Sequence, residues 1–185
     1  MSTFKTIPLY GGAITVDLPT RFVDSSQIRQ IPDHQEVYLE NDGYSSVVVE
    51  ILERVERASD EEALQHHFAD LTDGTGDRTS VLGIEGVGVA RVADKPAYTL
   101  SFIQTPQPAP DSRKKEPEYV AIHLLLLRLK EQTTDILVSV NVPHYAGEYE
   151  KASAEGEKTA LMKEGDAIMA KILETFEVRD YGLFN

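Results

Sequence analysis

Residues 13–18 alternate apolar Ala13, Ile14, Val16 and Leu18 with polar Thr15 and Asp17, the period of a strand with one buried face. The Gly11-Gly12 pair precedes this strand and Pro19 ends it. Residues 24–28 predict a short helical turn capped by Asp24 or Ser25. Two strands follow at 35–40 and 44–55, and Asn41-Asp42-Gly43 between them predicts a tight hairpin, with Asp-Gly supplying positive φ. Ser59 with Glu62 forms a capping box and opens a helix to about Leu71. Ala63, Leu64, His67, Phe68 and Leu71 recur at three- and four-residue spacing and predict its buried stripe. Short strands are expected at 80–84, 87–93 and 97–105, with a turn at 94–96. Residues 104–118 carry Pro106, Pro108, Pro110 and Pro117 and predict an exposed loop within the fold. The strongest strands are 119–129 and 135–142, with Pro143 expected to stop the second. Leu124 to Leu127 show no alternation, so their strand should be central and covered on both faces. A last helix at 158–175 presents Leu161, Ile168, Met169, Ile172 and Leu173, with Phe176 just beyond. Gly165 interrupts it, either weakening the helix or letting it approach the sheet closely.

The order strands, helix, many strands, helix defines an α+β fold: a mostly antiparallel sheet flanked by helices. Alternating βαβ units are absent, which argues against a doubly wound nucleotide fold. The 185 residues fit one domain, 1–185, and suffice for a real core without staples. With no cysteine, disulfides, thiolate metal sites and a cysteine nucleophile are excluded. A net charge of −13, from 31 acidic and 18 basic side chains, disfavours nucleic acid and anionic lipid and suits a basic protein partner. The longest apolar run, Leu124 to Leu127, is too short to span a membrane. No signal peptide is expected, and the protein is read as soluble and intracellular.

Candidate chemistry is sparse. His66 and Asp70, four apart on one helix face, could offer two metal ligands, but His34, His123 and His144 show no supporting spacing. His67 falls on the apolar stripe and is expected to be packed. Gly83, Gly86 and Gly88 precede no Lys-Ser/Thr and no helix, so strand-turn glycines explain them better than a phosphate loop. No Gly-x-Ser-x-Gly nucleophile motif occurs. Glu50 and Glu53 stand apart, because they lie in an otherwise apolar strand, where charge costs energy unless it meets water or a partner. Strict alternation puts them on opposite faces unless a bulge intervenes. The simplest arrangement pairs one with Arg54 or Arg57 and solvates the other.

These residues also belong to a longer pattern. Leu9, Tyr10, Gly11, Gly12, Ala13 and Ile14 resemble the opening of the Ran guanine nucleotide release factors, the Mog-type family. Phe22, Asp24, Ser26, Arg29, Pro32, Asp33, Gln35, Glu36, Val37 and Tyr38 then resemble that family's signature segment. Glu50 and Glu53 follow where the family has its acidic strand, and His67 to Leu71 where it has an aromatic and acidic helix. The 127–143 hairpin and the ending Phe176 to Phe184 continue the likeness almost end to end.

The resemblance implies a six-stranded antiparallel sheet between helices, an α/β/α sandwich of the PsbP-like kind. It further implies binding to the small GTPase Ran, release of its guanine nucleotide, and support of nuclear protein import in nucleus and cytoplasm. On this reading the chain is a regulator without chemistry of its own and needs no cofactor or metal. Other Ran-binding proteins could join a ternary complex. Glu50 and Glu53 match the family's Ran-contacting acids, and Asp24, Arg29, Asp33 and Glu36 of the signature segment are expected beside them. The rival readings are a PsbP-like module for another partner and a metal-dependent hydrolase built on His66 and Asp70.

Overall fold

A computed structural model describes residues 2–108 and 113–185. Its main sheet has seven strands: β3 (Phe22–Asp24), β4 (Gln35–Glu40), β5 (Ser46–Glu53), β6 (Arg78–Val87), β7 (Ala97–Thr105), β8 (Tyr119–Leu129) and β9 (Thr134–His144). They run in the order β3-β4-β5-β9-β8-β7-β6, each pair antiparallel. A second sheet joins β1 (Phe4–Leu9), β2 (Ile14–Pro19) and β10 (Glu177–Val178). The fold is α+β as expected, with seven strands in the central sheet where about six were expected and a three-stranded sheet that the pattern does not announce.

The sheet buries both faces. Helix α2 (Ala160–Thr175) packs on β8, β9 and β2, over a core that includes Val47, Val49, Leu125, Leu127, Val138 and Ile172. Helix α1 (Asp60–Thr72) packs on β7 and β8 on the opposite face, over Leu100, Phe102, Leu124 and Leu126. Leu124 to Leu127 are therefore covered on both sides, as their unbroken apolar run requires. Thr159 caps α2 by accepting from Met162 N, and Ser59 caps α1 by accepting from Glu62 N. Asp60, Glu61 and Glu62 in the first turn of α1 favour its positive dipole end. Gly165 resolves toward close packing: a Cβ there would lie 3.0 Å from the Val142 methyl, so glycine is what lets α2 settle on β9.

Several local expectations need correction. Residues 87–93 do not form a strand; β6 ends at Val87 and a 3-10 turn occupies Ala90–Val92, so the glycine-rich segment is one bulged edge strand. Pro143 does not stop β9; it pairs with Val120 and the strand runs on to His144. Leu71 is 40% exposed, because α1 lies toward β7 and β8 and its last turn overhangs the core. Gly43 does not take positive φ. Instead it leaves room for the Glu40 side chain, which folds across the loop to accept from Ser45 N and whose carboxylate would have to shift to admit a Cβ on Gly43. In the Pro-rich loop, residues 109–112, including Pro110 and Asp111, lie outside the described residues.

Candidate functional site

Strand β4 begins at Gln35, opposite Glu50, so the last residues of β5 extend past it. Ile51 N still reaches His34 O at 2.9 Å, but Leu52 and Glu53 pair only with Asp135 and Thr134 of β9. The end of β5 is thus a free sheet edge. Its register against β9 is unbroken from Ser46 to Glu53, so no bulge brings Glu50 and Glu53 onto one face. Glu50 shares a face with Leu52, which packs beside the α1 core, and Glu53 projects from the other face into solvent.

Neither acid pairs with the arginines nearby. Arg54 binds Glu56, and Arg57 donates to His66 Nδ1 at 2.8 Å. Gln35 Nε2 donates to one Glu50 oxygen. Among the described residues, no Lys, Arg or His forms an ion pair with Glu50, Glu53, Asp24, Asp33 or Glu36. Among the described residues, these carboxylates therefore carry no ion-paired cation of their own.

The other signature residues divide into two groups. Glu36 accepts from Tyr10 N at 2.7 Å and so holds the Tyr10–Gly12 turn, where Tyr10 itself takes φ 50°. The Tyr10 hydroxyl lies 2.9 Å from both His34 O and Val49 O, its proton shared between the ends of β4 and β5. Asp24 accepts from Ser26 N at 2.8 Å and caps the Ser25–Gln27 turn. Glu36 and Asp24 thus build the scaffold, whereas Arg29 and Asp33 are exposed on the segment between that turn and β4. The phenols register the local field. Burial first, then the Glu36 and Glu50 carboxylates, push Tyr10 well above its ordinary range. Burial, then Asp24 and Glu36, push Tyr38 up to about 12.

The metal candidate has two members: His66 Nε2 lies 3.4 Å from Asp70 Oδ2, and the other ring nitrogen is occupied by Arg57. Among the described residues no third His, Cys, Asp or Glu joins a metal-holding group. His67 is buried as expected, but its Nε2 lies 2.8 Å from Asp135 Oδ2, a polar lock where plain packing was expected.

An acidic α+β protein whose sheet ends in exposed carboxylates has the charge that a basic surface would complement. Residues 7–143 match the family described as Ran-interacting Mog1 protein, and the chain belongs to that family. The probable Ran guanine nucleotide release factor of Dictyostelium discoideum is 27% identical, the alignment covering 98% of this chain and 97% of that protein. The nuclear import protein MOG1 of Saccharomyces cerevisiae is 32% identical over 97% of this chain and 84% of its own length. The crystal structure of the S. cerevisiae Ran-binding protein Mog1p superposes with a TM-score of 0.79 at 26% identity, covering 100% of both chains.

Proposed function

We propose that this chain binds Ran, promotes release of its bound guanine nucleotide and thereby supports nuclear import. Two relatives are named Ran guanine nucleotide release factors and a third a nuclear import protein, and the likeness spans nearly the whole of this chain. The observation that carries the reading to particular residues is the free end of β5, where, among the described residues, neither Glu50 nor Glu53 forms an ion pair. A basic partner surface supplies the missing counter-charge, and the net charge of −13 steers the encounter. Asp33, exposed next to His34 at this edge, and Arg29, exposed on the same segment, widen the contact, while Asp24 and Glu36 shape it from behind.

In this role the protein acts as a regulator. It favours nucleotide-free Ran over loaded Ran, and that difference in affinity expels the nucleotide. Both nucleus and cytoplasm are its places of action, and a further Ran-binding protein can share the complex. Glu50→Lys and Glu53→Lys test the edge. Each should weaken Ran binding by at least about tenfold, as loss of a charge contact replaced by repulsion does, with the circular dichroism spectrum unchanged. Folded variants that bind Ran with full affinity would remove this edge from the account.

A further inference from the structure

A different part of the molecule holds a group of residues that lies outside the β5 edge proposed for Ran. Ser101 on β7 and His123 on β8 are cross-strand partners facing α2. Ser101 Oγ lies 2.6 Å from His123 Nδ1, and His123 Nε2 lies 3.0 Å from Asp166 Oδ1 on α2. A neutral imidazole carries one proton. With Nε2–H donating to the carboxylate, Nδ1 is left as acceptor and the serine hydroxyl donates to it. Serine, base and orienting carboxylate thus stand in the roles of a nucleophilic triad, which is recognised by geometry and not by sequence order. Asp166 is itself fixed, since Lys158 Nζ lies 2.5 Å from its other oxygen.

The surroundings suit a reacting group. Ser101, His123, Lys158 and Asp166 line one cleft of about 350 Å³, with Leu82 and Met162 as apolar walls. Gly83, opposite Ser101 on β6, leaves the floor open: a Cβ there would meet nothing within 4 Å. A bulge between Val81 and Gly83 takes Leu82 out of register at the same point. Burial foremost lowers the His123 pKa, with Lys158 adding to this and Asp166 opposing it, so the ring is a free base at neutral pH. In the sheet order β5 is separated from this cleft by β9, and no residue is shared with the β5 edge.

We propose that Ser101, His123 and Asp166 form a nucleophilic serine site that takes small, apolar carboxylic esters. Ser101 Oγ attacks the carbonyl carbon while its proton passes to His123 Nδ1. Lys158 is the cation at hand for the developing oxyanion. The ester C–O bond breaks, the alcohol leaves with the proton from His123, and water then releases the acid by the same path, regenerating the serine.

The test is reaction of the full-length protein with an alkyl fluorophosphonate, in which Ser101 Oγ would displace fluoride, read by intact mass and peptide mapping. A single adduct at Ser101 is expected. His123→Ala should slow its formation by about a hundredfold, the usual contribution of a positioned base. Should His123→Ala fail to fold, His123→Gln keeps the bulk and must show the same loss. Asp166→Asn, on the half-exposed helix face, should slow it less. Ser101→Ala should abolish the adduct and leave Ran nucleotide release unchanged, which separates this site from the β5 edge. No adduct, an adduct elsewhere, or labelling indifferent to the imidazole overturns the proposal.

Discussion

Arg128 and Asp135 are 2% and 0% exposed and face each other across β8 and β9. Arg128 Nε lies 2.9 Å from Asp135 Oδ1, and His67 of α1 meets Asp135 Oδ2 at 2.8 Å. The pair also grips the chain between β5 and α1, because Val55 N donates to Asp135 Oδ2 and Arg128 Nη2 donates to Val55 O. The peptide just beyond Glu53 is thus held from both sides. Removing one partner strands the other charge in the interior, so Asp135→Asn should cost about 3–5 kcal/mol in urea unfolding. A loss below about 1 kcal/mol would show that water reaches Arg128 and that the lock is not buried in solution. Of the candidate site residues, Glu50 and Glu53 stand out in the sequence because charge in an apolar strand needs an explanation. The roles of Glu36 and Asp24 as scaffold were not legible, since they depend on Tyr10 and Ser26 backbone groups placed by the fold. Ser101, His123 and Asp166 left no trace either: they come from two strands and a helix, and nothing in their spacing marks a common site.

At the scale of elements, α2 is tied to the sheet by His144. Its ring is buried, with Nδ1 donating to Val142 O at 3.0 Å and Nε2 accepting from the Thr159 hydroxyl at 2.7 Å. Thr159 in turn caps α2 through the same hydroxyl oxygen, so the ring and the helix start share one hydrogen-bonded group. Burial lowers the pKa of His144, as it does that of His123, below the ordinary 6.5. The folded state therefore takes up these protons at lower pH than the unfolded chain. Stability from the two rings is full above about pH 6.5 and is lost as pH falls through the folded values. Unfolding free energy should be smaller at about pH 5.5 than at about pH 7.5, and His144→Gln should flatten that difference. An equal difference in the variant would place the acid sensitivity elsewhere. Both helices were legible to within two residues at each end, because capping residues and apolar stripes are local signals. Strand β1 was not: Lys5, Thr6 and Pro8 interrupt it, and only Ile7 and Leu9 of its strand are buried. Strand β6 read as two pieces because its mostly exposed edge position and three nearby glycines erase the alternation.

At the scale of the whole molecule, two helices and a small sheet sandwich the seven strands, leaving the β3-β4-β5 end to carry the signature segment at its margin. In that arrangement the hydrogen bonds of Tyr10 and the buried Arg128–Asp135 pair fix the backbone on either side of Glu50 and Glu53, the edge proposed to meet the partner. No helix among the described residues is long and apolar enough to cross a membrane. The proposed role of this edge is to meet Ran and favour its empty state. It is tested most directly by release of labelled GTP from purified Ran, with and without this protein, at low and high salt. Faster release that weakens as salt screens the acidic contact is the predicted result. Release at the spontaneous rate at both salt concentrations, with no complex formed, would contradict it.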